Sequence, residues 1–368
     1  MQNVGNGKKV FVGLSGGVDS AVSAALLKDQ GFEVTGVYMK NWSGDDYGIQ
    51  ADCPWEEDQK DAQAICDHLG IQFRSFNFEK EYRDKVVEYF FSEYEKGRTP
   101  NPDVMCNKEV KFKLFLDKAL KEGAGFIATG HYARKLVPDS NNNEPEKLLK
   151  GLDKNKDQTY FLYNLTQEQL RKTLFPIGHL TKPEVRKLAR EYMLPNAEKP
   201  DSQGICFIGE INVLKFLMSR IPEKAGEIRD IDTDKVVGEH KGVYFYTVGQ
   251  REGLGIGGLK EPCFVVGKDV DKNILYVGMG SNHPALFKKE VELENIHFII
   301  NNLSSSSNYE VKDIQASVRY RHQPQPGTLY VKDSKIKFVF EEPQRAVTSG
   351  QSLVIYRDEE CLGGGVIK

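Results

Sequence analysis

The chain opens as an alternation of apolar runs and helical periodicities. Val10 to Leu14 is a short apolar run ending in glycines, as expected of a strand buried on both faces of a parallel sheet. Ser20 to Gln30 carries apolar residues at helical spacing and stops at Gly31, a usual C-terminal signal. Glu33 to Met39 predicts a second strand. Glu56 to Leu69 predicts a helix ended by Gly70, and Ile71 to Phe76 a third strand. Lys80 to Lys96 and Val110 to Lys121 predict two further helices, and Phe126 to Thr129 another strand. Repeated β-α-β units of this kind imply a doubly wound parallel sheet with helices on both faces.

Residues 138–149 predict a surface loop or a β-excursion, and 166–192 return to helix. Thr181-Lys182-Pro183 supplies a helix start: cap residue first, proline early. Lys199 to Gly204 is turn chemistry. Beyond about residue 215 the period shortens to that of strands: Gly242–Val248, Cys263–Asp269, Ile274–Gly278, Val291–Phe298, Asp313–Val318, Thr328–Val331, Ile336–Phe340 and Ser352–Arg357. Asn301 to Asn308 is a polar loop among them. The expected layout is an α/β N-terminal domain over 1–215, a small central β-rich domain over 216–284 and a C-terminal β-barrel domain over 285–368.

Composition adds exclusions. With 39% hydrophobic and 28% charged residues, the 368-residue chain falls in the globular class. No stretch approaches the roughly 20 apolar residues needed to span a bilayer. The polar N-terminus lacks the marks of a signal or transit peptide, so a cytoplasmic protein without membrane partners is expected. The net charge is −3, and acids slightly exceed bases in both halves, so any RNA binding must come from local patches. Six cysteines, at 53, 66, 106, 206, 263 and 361, form no C-x-x-C pair. A buried, inert thiol is the default for each. Cys53, on a loop, is the least certain of the four outside the motifs below. None of the seven histidines has metal-binding spacing.

Gly13-Leu14-Ser15-Gly16-Gly17-Val18-Asp19-Ser20 joins the first strand to the first helix. Backbone N–H groups at such a junction cradle an anion, and the glycines let phosphates approach. The loop lacks the G-K-[ST] of a Walker loop and is not G-x-G-x-x-G. Ser15 to Ser20 resembles the signature of the PP-loop ATP pyrophosphatases, whose fold is adenine nucleotide alpha hydrolase-like. The resemblance implies cleavage of ATP between its α and β phosphates, adenylation of a carbonyl oxygen and release of pyrophosphate. It places Gly13 to Ser20 in the nucleotide site, Met39 by the adenine and Gly130 close to the nucleotide. Asp19 would face ATP-bound Mg²⁺, since an acid in an anion site needs a cation between.

Two motifs narrow the chemistry. Arg98-Thr-Pro-Asn-Pro-Asp-Val-Met-Cys-Asn-Lys108 reads as a loop stiffened by two prolines, presenting Asp103 and Cys106. Asp201-Ser-Gln-Gly-Ile-Cys-Phe207 presents Cys206 after a turn. Lys108, Lys111 and Lys113 would lower the Cys106 pKa. Together with Met39-Lys-Asn-Trp42, Ala128-Thr-Gly-His-Tyr-Ala133, Lys156-Asp-Gln-Thr-Tyr-Phe-Leu162 and Ser317-Val-Arg-Tyr-Arg321, these segments resemble the bacterial tRNA-specific 2-thiouridylases from Val10 to Gly365. That resemblance implies 2-thiolation of the wobble uridine of tRNAs for Lys, Glu and Gln. ATP would adenylate the C2 oxygen, and Cys206 would carry sulfur as a persulfide from a relay protein or a cysteine desulfurase. Cys106 would attack either the activated base or the persulfide, the latter ending in a Cys106–Cys206 disulfide. Asp103 would act as general acid/base.

The same resemblance brings Asn101, Pro102 and Asp103 to the target base, with His131 beside it. Lys156, Asp157 and Gln158 would contact tRNA, as would Arg319, Tyr320 and Arg321, a cationic–aromatic cluster suited to phosphate and stacking, and Gln351. Two other classes stay open on the residues alone. One is another PP-loop adenylating ligase, which would need an ammonia source rather than two thiols. The other is a non-catalytic ATP- or RNA-binding protein, for which a presented thiol has no use.

Overall fold

The structure is a computed structural model describing residues 5–43, 55–138, 144–201, 213–258, 261–300, 308–333 and 335–368, and structural statements concern these residues. The expected strands near Val10, Glu33, Ile71 and Phe126 form as Lys9–Leu14, Glu33–Lys40, Gln72–Asn77 and Phe126–Ala128. With the short strand Thr173–Leu174 they make one five-stranded parallel sheet. Its spatial order runs Gln72–Asn77, Glu33–Lys40, Lys9–Leu14, Phe126–Ala128, Thr173–Leu174. The order reverses at Lys9–Leu14, and such a switch point leaves a crevice beyond the strand ends where ligands bind in open α/β sheets. Val10, Val12 and Ala128 are fully buried, consistent with helices on both faces.

The helical stretch that carries Cys106 departs from expectation. Pro102–Cys106 is α-helical, not a loop, and continues as a π-helical segment, Asn107–Phe115, into Leu116–Lys121. The prolines read as loop stiffeners include Pro102 at the helix start, behind the cap residue Asn101, whose side chain accepts from Val104 N at 3.2 Å. Lys80 to Lys96 likewise contains a π-helical turn, Arg83–Val87. The region 166–192 is only partly helical: Gln167–Arg171 and Lys182–Glu191 flank the sheet's last strand.

The central β-rich unit is a four-stranded sheet of Cys263–Asp269, Ile274–Met279, Gly226–Asp230 and Val236–His240. The last two strands gave no clear sequence signal. Gly242–Val248, expected as a strand, instead holds a 3-10 turn at Val243–Phe245. The C-terminal unit is a barrel. Phe287–Phe298, Lys335–Arg345, Gln325–Lys332, Tyr309–Ser317, Ser352–Arg357 and Glu360–Ile367 pair in that order, and Phe287–Phe298 pairs again with Glu360–Ile367 to close it. The expected β-excursion is real: Ala133–Leu136 and Lys147–Lys150 form a hairpin whose second strand pairs with Glu360–Ile367. The expected polar loop at Asn301–Asn308 lies, apart from Asn308, outside the described residues. Among the described residues no helix is long and apolar enough to cross a membrane.

Candidate functional site

The loop at the switch point is shaped for an anion. Gly16 has φ +72°, and a Cβ there would lie 2.9 Å from the Asp58 carbonyl, so only glycine fits. Ser20 Oγ donates to Gly17 O at 3.0 Å, and Ser15 N donates to Ser20 Oγ at 3.3 Å. The helix Val18–Asp29 starts at Gly17 with no side-chain cap, so its first N–H groups stay available to a ligand. Gly130, beyond the neighbouring strand, leans on this turn: a Cβ on it would approach Ser20 N at 2.8 Å and the Asp19 carbonyl carbon at 2.9 Å. Met39 lies by the loop's base, its Cε 3.0 Å from where a Gly13 Cβ would be.

Asp19 is engaged. Its Oδ1 accepts from Lys182 Nζ at 2.7 Å and from Tyr132 OH at 2.9 Å. Lys182 also pairs with Asp201 at 2.7 Å, and Asp201 pairs with Lys156 at 2.6 Å and Arg186 at 2.9 Å. Burial alone would raise the Asp201 pKa, but Lys156 and Lys182 outweigh it and hold it at about 2. Arg186 also donates to the carbonyls of Ala197 and Lys199, and Asn196 Nδ2 donates to Gly16 O at 2.9 Å. Sequence reading missed Lys182, Arg186, Asn196 and Asp201. Their one signal was Lys182 and Arg186 at helical spacing i, i+4, masked by the cap motif around Lys182.

Cys106 lies on the neighbouring helix and is 1% exposed. Burial pushes its thiol up to about 11. The Lys111 charge and a hydrogen bond with Tyr82 oppose that rise, and the Asp103 carboxylate adds to it. The expected lowering by nearby lysines comes only from Lys111 and is outweighed by burial. Lys113 is spent on Glu109 at 3.0 Å, and Lys108 is exposed. Asp103 Oδ1 is buried without a hydrogen-bond partner. The same helical stretch reaches the nucleotide side of the sheet. Phe115 Cε1 lies 3.6 Å from where a Gly13 Cβ would be, and the Phe112 ring sits 5.7 Å from His131. Lys111 acts electrostatically on both Cys106 and His131. A π-helical register often marks a functional segment.

His131 is buried. Its Nδ1 is 2.8 Å from Thr129 Oγ1, and burial followed by the Lys111 charge holds it well below 6.5, so it is neutral. Cys66, Cys263 and Cys361 are buried thiols; Cys53 and Cys206 lie outside the described residues.

Residues expected to face RNA divide into two groups. Gln158 exchanges hydrogen bonds with the Tyr132 backbone, and Asp157 accepts from Gly151 N, Thr159 N and Thr159 Oγ1, so both brace their own turn. Gln351 Nε2 donates to the carbonyls of Thr99 and Pro100 at 2.9 and 3.3 Å, just ahead of Asn101 and Pro102. Arg319 and Arg321 are exposed. Tyr320 between them packs 4.4 Å from Phe161, with the Arg321 guanidinium 5.3 Å from its ring, and it feels the charge of Lys156. The segments 156–158 and 319–321, remote in sequence, thus meet in one patch.

Family models match the chain in three consecutive stretches. They are a tRNA methyl transferase HUP domain at residues 8–210, a tRNA methyl transferase PRC-barrel domain at 214–279 and an aminomethyltransferase beta-barrel domain at 288–367. Full-length relatives are named for thiolation instead. The tRNA-specific 2-thiouridylase MnmA of Streptococcus agalactiae serotype III is 52% identical over 364 residues, 98% of this chain and 95% of the relative. That of serotype Ia is 51% identical over the same shares. A solved 4-thiouridine synthetase–RNA complex with bound ATP aligns with a TM-score of 0.37 and 18% identity, covering 60% of this chain and 52% of that one, too loosely to inform the site. At this identity over nearly the whole length, with the parallel-sheet domain and both β units in place, the chain belongs to the family of tRNA-specific 2-thiouridylases.

Proposed function

We propose that the chain uses ATP to replace the C2 oxygen of the wobble uridine of tRNA with sulfur, in the tRNAs for Lys, Glu and Gln. One observation carries the reading. A single helical stretch bears Asp103 and Cys106 at its start and packs Phe115 against the Gly13 end of the anion loop. One helical stretch therefore links Asp103 and the buried Cys106 thiol to the anion loop, and adenylation followed by sulfur attack needs both a thiol and an anion cradle.

The uncapped helix start at Gly17 and the left-handed Gly16 fit the phosphates of ATP. Asp19 would hold Mg²⁺ through those phosphates, and the ion would offset their charge. The C2 oxygen of uracil attacks the α phosphorus and pyrophosphate leaves, which turns a poor leaving group into AMP. Cys206 carries a persulfide loaded by a relay protein or a cysteine desulfurase. The Cys106 thiolate attacks the Cys206 sulfur, forming a Cys106–Cys206 disulfide and expelling hydrosulfide. Hydrosulfide adds at C2, the C2–O bond breaks and that oxygen leaves as part of AMP; a thiol reductant then restores the cysteines. Asp103 takes and returns the protons. Arg319, Tyr320, Arg321 and Gln351 would support the anticodon arm, and the single-stranded loop keeps the cost of base extrusion low.

The test is an assay of full chain, ATP, tRNA and a persulfide donor, reading pyrophosphate and 2-thiouridine separately. Cys206→Ser is expected to keep tRNA-dependent pyrophosphate release and lose the thio group. Full thiolation by Cys206→Ser would remove the mechanism.

A further inference from the structure

The cations beside the anion loop are already occupied by a carboxylate. Asp201 sits 2.6 Å from Lys156, 2.7 Å from Lys182 and 2.9 Å from Arg186. Lys182 is the pivot, because its Nζ is also 2.7 Å from Asp19 inside the loop. The three cations come from two different elements. Lys182 and Arg186 lie one turn apart on the helix Lys182–Glu191, and Lys156 lies on the turn before Thr159. Their side chains are mostly covered, with Lys182 only 13% exposed. Three positive groups converging on one carboxylate are a common way to hold a phosphate, with a lysine as point charge and an arginine as fork.

We propose that Asp201 is a built-in stand-in for phosphate: it and the β and γ phosphates of ATP compete for Lys156, Lys182 and Arg186, and the phosphates displace it. The inference rests on the reading of Ser15–Ser20 as the ATP phosphate site. Lys182 then changes partner, from two carboxylates to a phosphate oxygen, while Asp19 turns to the cation that accompanies the nucleotide. Pyrophosphate departure restores the Asp201 contacts, so product release is assisted by an internal competitor. The physical cost is a lower affinity for the phosphates, because part of their binding free energy is used to displace Asp201.

Titration calorimetry of the full chain with inorganic pyrophosphate, and with a non-cleavable α,β-methylene analogue of ATP, both with Mg²⁺, tests this. Asp201→Asn and Asp201→Ser are each expected to bind both probes about tenfold more tightly than wild type, the equivalent of about 1.4 kcal/mol. Lys182→Gln is expected to bind about tenfold more weakly. Two Asp201 variants guard against a folding defect, and a thermal melt of each reports it. Unchanged or weaker binding by a folded Asp201 variant, with wild-type binding intact, overturns the competitor role while leaving the ATP reading standing. Absence of binding by every form, wild type included, overturns both.

Discussion

Gln351 Nε2 donates to the Thr99 carbonyl at 2.9 Å across 252 residues of chain. The same junction is closed from several sides. Thr99 N donates to Ser349 O at 2.8 Å, Thr99 Oγ1 lies 3.1 Å from Thr247 Oγ1, and Arg98 reaches Ile367 O and Glu294. The segment leading into Asn101, Asp103 and Cys106 is thus gripped by the C-terminal barrel and by the central β unit. Gln351→Ala leaves the Thr99 and Pro100 carbonyls without that donor. Its expected effect is a several-fold fall in kcat for thiolation with pyrophosphate binding unchanged, read by paired activity and calorimetry.

Gly350 adds a sharper case. Its φ is +90°, and a Cβ there would sit 2.9 Å from both N and O of Thr99. Gly350→Ala should cost about 1–3 kcal/mol through backbone strain and lost closeness. Thermal denaturation is expected to show the loss, and an unchanged melting temperature would show that the barrel does not press on Thr99.

Gly130→Ala should act on the nucleotide through the backbone it displaces at the start of the helix Val18–Asp29. The added Cβ would meet Ser20 N and the Asp19 backbone under 3 Å. Binding of the non-cleavable ATP analogue is expected to weaken at least tenfold while the far-ultraviolet circular dichroism stays that of wild type.

Cys106 gives a prediction in pH. Its pKa is raised from 9.0 to about 11, so the protonated thiol is favoured in the folded chain and the thiolate is scarce near neutrality. Alkylation of Cys106 by iodoacetamide should be slow at neutral pH, rise about tenfold per pH unit toward 11, and jump on unfolding. Peptide mass spectrometry follows it residue by residue. Reaction at the rate of a free thiol near pH 8 would contradict the burial.

Asp201 titrates in the opposite sense. A carboxyl held at about 2 binds its proton less readily folded than unfolded, where 3.8 applies. Its stabilising contribution is therefore complete above about pH 4 and is lost as pH falls toward 2. Asp201→Asn should flatten that part of the acid-denaturation curve, measured as the urea midpoint across the window.

Local signals revealed the nucleotide side of the molecule well. An apolar run, two glycines and a helical period placed the strand Lys9–Leu14, the loop and the helix Val18–Asp29 almost to the residue, because each signal is read from neighbours in sequence. The segment around Cys106 misled because its signals are ambiguous. Asn101 and Pro102 serve equally as turn residues and as a helix cap with proline at the first position, and packing decided for the helix. The strands Gly226–Asp230 and Val236–His240 are charged and glycine-containing, with a weak alternation, and passed unseen. The cationic cluster on Asp201 was illegible for another reason. Lys182 and Arg186 share one helix, but Lys156 and Asp201 reach them only by tertiary contact, and no period in sequence marks a pair 45 residues apart.

The hairpin Ala133–Leu136 with Lys147–Lys150 has a consequence for dissecting the protein. Its second strand finishes the barrel's sheet through Leu148 and Leu149, opposite Cys361 and Glu360. A fragment ending near residue 215 would leave that strand's free edge in water, offering unpaired N–H and C=O groups to any passing strand. Self-association is then the fate of the isolated nucleotide half, and the barrel would lose two of the strands that extend its sheet. The nucleotide half and the barrel are therefore best handled as one object.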